Sequence, residues 1–427
     1  MKIIRTVLCI NAVALCSFPQ WASAASFQIL EQSPAQLGKS FAGTASDARD
    51  ATTVFFNPAA MSQLESSAVS GAVNIINTDA EFSDNGSNTT GVNDATQETA
   101  AVPNLYGVSK LSQRWSIGYG INAPYGLASS FEPNWFGRYL ATDSELEVIN
   151  LNINSSFQLT EQWSFGFGIN YQRTTVTLEN SVDSTFGAAT AIERDSSVKI
   201  KGDDTDYVAD LSIFWKPSDV LALGLVWRQG GSFDLEGQAQ FNLSDFCMAT
   251  PACANGLSAL AGDIGASVDL PDTTTLSGSF ALNEQWSIHA DLAHTAWGSI
   301  QEVAIVNSGN GATLNTLELF YDDTMRYSLG ATYATGGAWM WRVGVTLDEA
   351  PQTDSQYVTP RIPDEDRTWL SAGFNYQWTE SLSLDAAYTH IMVGDAQVNN
   401  VDAMGHQVVG SFDSSVDILG VQLNWMY

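Results

Sequence analysis

Residues 162–170 read Gln162-Trp163-Ser164-Phe165-Gly166-Phe167-Gly168-Ile169-Asn170. In this stretch, large apolar side chains alternate with small or polar ones, beginning at Trp163. Because successive side chains of a β-strand point to opposite faces, the apolar set shares one face and the polar set shares the other. The stretch therefore predicts a strand that lies between two different environments.

The same pattern recurs along the chain from about residue 66 to the end. Further strands begin at Trp115, Trp286, Trp339 and Leu382, each after a turn of about three residues. The short turns are 112–114, 160–162, 217–219, 283–285, 336–338 and 379–381. Long polar stretches alternate with them, near 83–98, 124–144, 181–198, 236–265, 306–316, 350–364 and 398–410. Six short turns and seven long loops join fourteen strands.

Short turns at one end and long loops at the other are typical of an outer-membrane barrel. A soluble β-sandwich also alternates, but it has little reason to separate short from long connections or to begin its strands with aromatic residues. In a barrel the apolar face contacts lipid and the Trp residues lie at the interface. We therefore predict an all-β, transmembrane antiparallel β-barrel of about 14 strands over residues 65–427.

The end of the chain supports this prediction. Residues 419–427 alternate up to a terminal aromatic, Tyr427. That ending resembles the assembly signal of bacterial outer-membrane proteins, although an interface aromatic would also explain it. We expect the outer membrane of a Gram-negative bacterium as the location, with the barrel assembly machinery, membrane lipid and lipopolysaccharide as partners.

Composition excludes other classes of protein. The chain has 427 residues, with 47 Asp and Glu against 17 Lys and Arg, for a formal charge of −30. Nucleic acid is not an expected partner, because phosphate binding depends on clustered Lys and Arg. A helical membrane protein would need apolar runs of about 20 residues, and the sequence after residue 24 has none.

The first 24 residues are predicted to be a secretory signal peptide. Lys2 and Arg5 precede an apolar stretch, residues 6–18, and a small-residue cleavage site lies at 22–24. The apolar stretch is too short for the alternative, a membrane anchor. Of the four cysteines, Cys247 and Cys253 remain after cleavage. In an oxidising compartment they are expected to form a disulfide, and a metal site is the minor alternative because no His lies nearby.

Residues 25–64 have no strand pattern and are predicted to form a partly helical hatch. Ser33-Pro34 is a helix-start signal, and residues 38–51 are mostly small. A barrel of about fourteen strands has a lumen that either needs filling or conducts water. We predict that the hatch plugs the lumen; a periplasmic extension is the alternative.

Several stretches resemble the FadL/TodX family of outer-membrane transporters for long-chain fatty acids and other hydrophobic compounds. They lie in family order at 27–33, 57–59 (Asn-Pro-Ala), 124–127, 134–139 and 359–370. The resemblance implies a monomeric barrel of fourteen strands with an amino-terminal hatch. It also implies passive uptake of apolar molecules through an outer groove, a deeper pocket against the hatch and lateral exit through the barrel wall.

Candidate binding residues follow from the sequence and the resemblance. The outer loop at 125–139 is rich in apolar side chains, which favours a capture groove, although a loop core explains them equally well. Phe27 and Ile29 belong to the amino-terminal stretch that substrate would displace, and Arg173 is a candidate lumen-facing partner for a carboxylate. The groove candidates are Tyr125, Leu127, Phe131, Trp135, Phe136 and Tyr139.

Two further groups have expected structural roles. Asn57, Pro58 and Ala59 would hold the hatch to the wall and take part in gating, since Pro58 donates no hydrogen bond and fixes a turn. A loop ion-pair network is expected among four charged residues, with calcium binding by the acidic cluster as the alternative. Its members are Arg361, Asp364, Asp366 and Arg367.

The predicted function is passive uptake of hydrophobic molecules, above all long-chain fatty acids. Aromatic hydrocarbons or other neutral apolar compounds are the alternative substrates. A diffusion porin and a lipid-active enzyme are competing classes. The four His residues are scattered and no Gly-x-Ser-x-Gly motif is present, so no catalytic set, metal or cofactor is predicted.

Overall fold

The computed structural model describes residues 26–187 and 191–427, so the predicted signal peptide at 1–24 lies outside the described residues. Nineteen strand segments form one antiparallel sheet, in which five barrel strands consist of two consecutive segments each. This arrangement confirms the predicted barrel of fourteen strands. The strands are β1 Ala68–Asp84, β2 Ala95–Lys110, β3 Trp115–Ser130, β4 Asp143–Gln158, β5 Trp163–Val182, β6 Ser196–Trp215, β7 Leu221–Arg228 with Ser232–Asn242, β8 Gly262–Asp269 with Thr273–Ala281, β9 Trp286–Thr295 with Glu302–Asn307, β10 Thr313–Glu318 with Thr324–Ala334, β11 Trp339–Asp348, β12 Arg367–Gln377, β13 Leu382–Val393 with Ala396–Val401, and β14 Gln407–Met426.

The sheet closes on itself where the first strand meets the last. β1 pairs with β14 from Ala68 opposite Met426 to Asp84 opposite Gly410. All six predicted short turns connect consecutive strands at one end of the barrel. Within the described residues, no helix has the length and hydrophobicity to cross a bilayer.

The two faces of β5 show why the alternating pattern produces a barrel. Trp163 and Ile169 are 38% and 50% exposed, whereas Ser164 and Asn170 are completely buried. Trp163 also stacks on Trp215 of β6, with ring centroids 5.1 Å apart, beside a short turn. The apolar residues thus form the outer, lipid-facing surface, and the small and polar residues face the lumen.

Residues 26–64 lie against the inner face of the barrel, and we call them the hatch. They contain α1 (Pro34–Leu37), α2 (Thr53–Phe56) and a 3-10 helix at Pro58–Gln63. The Ser33 hydroxyl donates to Gln422 of β14 over 2.7 Å, and the backbone N–H of Gly43 donates to Asp291 of β9 over 2.7 Å. These strands lie far apart around the ring, so the hatch is enclosed by it.

Small residues in the wall allow the hatch backbone to approach closely. A Cβ atom on Gly166 of β5 would lie 2.3 Å from the backbone nitrogen of Ala59. One on Gly344 of β11 would lie 2.1 Å from the carbonyl oxygen of Lys39. Any larger side chain at either position would push the hatch away from the wall.

The wall has an irregularity between β2 and β3. The register of β3 against β4 shifts between Asn122 and Tyr125, and pairing of β2 with β3 stops at Leu105 opposite Ile121. On its other side β2 stays paired with β1 as far as Ala95. Residues 95–104 of β2 therefore have no paired strand segment on the β3 side in the described part of the chain, and we call this interval the wall gap.

Two of the predicted loops contain regular structure. Residues 124–130, expected to be loop, continue β3 beyond its kink. The long loop between β7 and β8 contains α3 (Asp245–Ala249) and α4 (Pro251–Leu260). A disulfide joins Cys247 to Cys253, with their Cα atoms 5.2 Å apart, and it links these two helices.

Candidate substrate-binding site

An apolar cavity lies inside the outer half of the barrel, and most of its lining comes from β3 to β10. Four adjacent strands, β7 to β10, are interrupted at 229–231, 270–272, 296–301 and 319–323, and residues at the last three of these breaks line the cavity. The cavity is lined by apolar side chains that include Leu127, Leu178, Ile200, Leu270, Ile300 and Leu319. Such a surface favours an apolar ligand, because binding removes hydrocarbon from water.

Phe27 of the hatch closes part of this apolar cavity. Its ring packs edge-on against Trp297, with centroids 4.8 Å apart, and lies 6.1 Å from the ring of Tyr125. Phe27 and Trp297 are both almost completely buried. Phe27 of the hatch therefore completes the lining of the apolar cavity, whose other lining residues belong to the barrel wall and the outer loops.

Arg361 and Glu145 are the charged residues in a lining that is otherwise apolar, and Arg361 is the fully buried one of the two. Its guanidinium donates to the carbonyl of Asp143 over 3.0 Å and to the hydroxyl of Ser144 over 2.9 Å. Longer bonds reach the Glu179 carbonyl and the Asn180 side chain, so every acceptor is neutral, and Nε has no partner in the described structure. Burial lowers the pKa of Arg361 to about 10, which leaves it positively charged at neutral pH.

The expected ion-pair network forms only in part. Arg367 donates from Nε to Asp364 over 2.9 Å and from a terminal nitrogen over 2.5 Å. Asp364 also accepts from the backbone N–H of Ser26 over 2.6 Å, so this pair anchors the start of the hatch. The inclusion of Arg361 and Asp366 in the network is wrong: Arg361 bonds to neutral groups, and Asp366 is exposed and accepts from the backbone of Ala350.

The interpretation of Arg173 as a lumen-facing residue is also wrong. Its position on β5 has the parity of Trp163, so its side chain points outward and is 57% exposed. It pairs there with Asp203 of β6 over 3.2 Å. Among the described residues, no group of three or more metal-ligating side chains converges. Asp204 and Asp206, two acidic residues of β6, accept hydrogen bonds from the backbone N–H groups of Asp234 and Ser232 of β7.

The apolar residues at 125–139 do not form one exposed groove. Tyr125 and Leu127 pack with Phe27 in the inner cluster, whereas Phe131 and Trp135 stack at 4.2 Å in a separate outer core. The Trp135 indole donates to a backbone carbonyl of its own loop over 2.7 Å.

The remaining two loop candidates lie at the edge of that outer core. Phe136 packs against it and is partly buried, and Tyr139 stacks on His406 with ring centroids 4.0 Å apart. For these two residues, as for Phe131 and Trp135, the structure matches the loop-core interpretation.

A second cavity, which we call the inner chamber, lies deeper, between the hatch and the wall. It is lined by Ile29, Phe55, Tyr125, Arg228 and Arg326, together with threonines of β8 and β9. Residues 27–30, named the N-terminal segment, separate this chamber from the apolar cavity, since Phe27 lines one and Ile29 lines the other.

The N-terminal segment is paired with the kinked part of β3. The backbone N–H of Ile29 donates to the Pro124 carbonyl over 2.8 Å, and that of Gly126 donates to the Phe27 carbonyl over 2.9 Å. Gln28 forms a β-bridge with Tyr125. The segment thus lies beside the wall gap and acts locally as an additional strand.

Asn57 of the Asn-Pro-Ala stretch bonds the hatch to the opposite wall. Its side-chain nitrogen donates to the Ala45 carbonyl over 2.6 Å and to the Ile213 carbonyl of β6 over 3.2 Å. Its oxygen accepts from the backbone N–H of Ala59 over 3.0 Å, across the turn that Pro58 begins. One side chain therefore connects two parts of the hatch and a barrel strand.

Sequence reasoning did not identify the residues at the strand breaks or the arginines of the inner chamber. A signal for the breaks exists: Gly230-Gly231 and Pro271 interrupt apolar strand patterns, and such residues mark bends or bulges. No comparable local signal distinguishes Arg228 or Arg326, because their position depends on how four adjacent strands and the hatch assemble.

A closed barrel with an internal plug, an apolar cavity and a lipid-facing outer surface defines an outer-membrane transporter of hydrophobic compounds. Residues 15–427 match the family model for outer membrane protein transport protein (OMPP1/FadL/TodX). The chain belongs to that family, whose members are transporters rather than enzymes.

Relatives extend over nearly the whole chain. It is 28% identical to the long-chain fatty acid transport protein of Escherichia coli K12 over 418 residues, covering 91% of this chain and 92% of the relative. It is 26% identical to outer membrane protein P1 of Haemophilus influenzae, with 90% of each chain covered.

Solved structures share the fold. A FadL homologue of Pseudomonas aeruginosa superposes with a TM-score of 0.88 at 24% identity, covering 94% of this chain and all of that one. The toluene transporter TodX of P. putida superposes with a TM-score of 0.70 at 19% identity, covering 91% and 98%.

Proposed function

We propose that this protein carries long-chain fatty acids passively across the outer membrane. The observation that supports this substrate over a neutral hydrocarbon is the apolar cavity with Arg361 in its lining, a buried cation that has no carboxylate partner among the described residues. An apolar cavity fits any apolar solute, whereas the buried Arg361 favours a solute with an anionic end.

Burial of the hydrocarbon tail would drive capture. Each methylene transferred from water contributes about 0.8 kcal/mol, so a 16-carbon chain gains roughly 10 kcal/mol before ordering costs are subtracted. No energy coupling is needed for a step of this size. The tail would lie among the side chains of Leu178, Ile200 and Leu319, which are entirely hydrocarbon.

The head group would be placed by Arg361. Hydrogen bonds between a guanidinium and a carboxylate are stronger than those to neutral acceptors, so a fatty acid entering the cavity can exchange with the weakest of the present bonds. Those are the 3.4 Å bond to the Glu179 carbonyl and the 3.3 Å bond to Asn180. A neutral aromatic compound would gain nothing from this exchange.

Onward passage would require movement of the N-terminal segment. Displacing residues 27–30 removes Phe27 from the apolar cavity and Ile29 from the inner chamber, which joins the two spaces. The same movement breaks the pairing with the kinked part of β3 beside the wall gap. We propose that the lateral exit lies at this gap, because residues 95–104 of β2 form no ladder with β3 in the described residues.

Two assembly partners belong to the proposal. Tyr427 follows β14 directly, and the alternating residues 419–427 are proposed to be recognised by the barrel assembly machinery. The acidic outer loops would contact lipopolysaccharide, and a single barrel would form the working unit.

Uptake by reconstituted vesicles tests the substrate class. Wild type should carry palmitate faster than methyl palmitate, and R361Q should lose about tenfold on palmitate while methyl palmitate changes less than twofold. R114Q, in an exposed turn, is the matched control. Transport of toluene without palmitate would reject the fatty acid assignment, and mass spectrometry of lipid that co-purifies with the protein provides an independent check.

A further inference from the structure

A wide groove crosses the outer, lipid-facing surface of the barrel near the short turns, and we call it the outer groove. It has a volume of about 640 Å³ and extends over β4, β5, β6 and the first segment of β7. Large apolar side chains that point outward from these strands form its sides, among them Phe157, Phe165, Phe167, Leu211, Leu225 and Trp227. A concave apolar surface in contact with a bilayer fits hydrocarbon chains.

A small polar residue, Ser155 of β4, leaves room for the outer groove. Ile153 and Phe157 are its outward-facing neighbours on the strand, and in the register Ser155 lies opposite Phe167 of β5. The Ser155 hydroxyl has no hydrogen-bond partner within the part of the chain that the structure describes. An unpaired hydroxyl facing lipid is unfavourable unless an acceptor is supplied from outside the protein.

The height of Ser155 in the membrane indicates what that acceptor is. Ser155 lies three residues before Gln158, the last residue of β4, which is roughly 10 Å along the strand. The polar head-group region of one leaflet is about 5–8 Å thick, so Ser155 lies near the boundary between head groups and hydrocarbon. Ester carbonyls of glycerolipids lie at this boundary and can accept a hydrogen bond.

Two charged residues of opposite sign lie at the short-turn end of the outer groove. Lys216 follows the last residue of β6, and Glu161 lies in the turn between β4 and β5. The backbone N–H of Lys216 donates to the Gln162 carbonyl over 2.8 Å, so the two charged residues belong to adjoining chain segments. Among the described residues, neither side chain forms an ion pair. Together they offer one site for an anion and one for a cation.

We propose that the outer groove binds one glycerophospholipid of the inner leaflet, with a zwitterionic head group that carries a phosphate and an ammonium. Its acyl chain would lie between the side chains of Phe167 and Leu211, and the Ser155 hydroxyl would donate to an ester carbonyl. Lys216 would bind the phosphate, and Glu161 would bind the ammonium. The short turns of such barrels face the periplasm, which places this site in the inner leaflet.

The shape and polarity of the outer groove favour a lipid over a second copy of the chain. The outer surface of another barrel is convex and could not follow a concave surface, whereas a flexible acyl chain can. The polar groups Ser155, Glu161 and Lys216 also lie toward one end of the groove, as the polar part of an amphiphile requires.

The outer groove lies directly behind wall positions that anchor the hatch. Gly166 and Ser212 line the groove, and on the inner side the Ser212 hydroxyl accepts from the backbone N–H of Ala59 over 3.0 Å. Ile213 also lines the groove, and its carbonyl accepts from the Asn57 side chain over 3.2 Å. A lipid in the groove therefore packs against the strand segments that hold the hatch, so its binding should raise the thermal stability of the plugged barrel.

Native mass spectrometry of the detergent-extracted protein tests this site. Palmitoyl-oleoyl phosphatidylethanolamine or phosphatidylglycerol would be added to wild type, S155F, K216Q and E161Q. Wild type should retain one phosphatidylethanolamine and at least threefold less phosphatidylglycerol. S155F, which fills the groove, should lower retention about tenfold, and K216Q about fivefold, because the phosphate loses its cation. E161Q should remove the preference between the two lipids.

Two variants control for size and charge. Ile153 faces lipid on the same strand but does not line the outer groove, and Lys201 is an exposed lysine near the opposite end of β6. I153F and K201Q should therefore retain phosphatidylethanolamine within twofold of wild type. The heat-dependent gel mobility of the barrel identifies the variants that fold, and only these are compared.

Several outcomes would overturn the inference. Wild type that retains no phospholipid, or folded S155F that retains as much as wild type, would show that the groove is not a lipid site. Equal retention by K216Q and K201Q would refute the head-group assignment. A lipid-free mass of two chains would assign the groove to a second copy. Because phospholipid and fatty acid differ in mass, these results do not depend on palmitate uptake.

Discussion

The body of the hatch and its N-terminal segment are attached to the barrel in different ways. The body is held by side-chain hydrogen bonds to several strands, such as those of Asn57 to β6 and of Asp291 to Gly43. Residues 27–30 are held by backbone bonds to one strand, β3, and by packing of Phe27. The hatch thus has one part bonded to several strands and one part bonded to a single strand, and under the proposed function only the second would move with substrate.

Deleting residues 26–30 should have the largest effect. The apolar cavity would lose Phe27, and the pairing with β3 would disappear, while the bonds of the hatch body would stay intact. Palmitate binding should fall at least tenfold, as measured by co-purified lipid and by uptake. A deletion variant that folds and binds normally would refute the gating role of the segment.

Glu31, next to the N-terminal segment, should make hatch stability depend on pH. Burial raises its pKa from 4.5 to about 7, so the folded protein favours the protonated form. The stability is fully present below pH 4.5 and is lost as pH rises toward 7, by up to about 3 kcal/mol. E31Q should therefore match wild type at pH 4 and resist urea better at pH 8. Equal urea midpoints at pH 8 would show that Glu31 is not buried in this way.

Asn57→Ala should loosen the fixed part of the hatch. The substitution removes bonds to the Ala45 and Ile213 carbonyls and to the Ala59 N–H. At about 1 kcal/mol for each bond, docking of the hatch should weaken by roughly 2–3 kcal/mol. Planar bilayers should show more frequent ion-conducting openings than with wild type, while S66A, in the partly exposed bend between the hatch and β1, should leave conductance unchanged. Silent N57A channels would contradict the anchoring role.

Replacing Trp135 and Phe136 by Ser should have the smallest effect on transport. Trp135 belongs to the outer-loop core and lines neither the apolar cavity nor the inner chamber, so palmitate uptake should change less than about twofold. Susceptibility of the loop to protease should rise, because the stacked core is lost. A drop in uptake as large as that of R361Q, with the loop intact, would restore the capture-groove interpretation.

The barrel was predictable because lipid imposes a period of two on every strand. The faces of Trp163 and Ser164 can be assigned from the alternation of apolar and polar residues around them. The six short turns can likewise be read from short polar stretches in the sequence. The breaks in β7 to β10 were not identified, although Gly230 and Pro271 are visible signals for them. Arg173 was predicted to face the lumen like Ser164. It lies an even number of residues from Trp163 on β5, so its side chain shares the outward face of Trp163.

The site was less predictable because its residues meet through the closure of the ring. Phe27 and Trp297 lie 270 positions apart, and contact between them depends on the hatch position and on the break in β9. Arg361 and Arg367 belong to the same stretch at 359–370, yet among the described residues only Arg367 has a carboxylate partner. The difference arises from the location of β4 and β5, which sequence spacing does not encode.

The pairing of β1 with β14 has a consequence for biogenesis. The hatch precedes β1 and is surrounded by strands, so the seam between the first and last strands closes around an interior that the hatch fills. We therefore expect hatch packing and barrel closure to affect each other during assembly. A bulky residue at Gly166 or Gly344, where a Cβ atom would lie 2.3 or 2.1 Å from the hatch backbone, should lower the yield of folded barrel in the membrane as well as loosen the hatch.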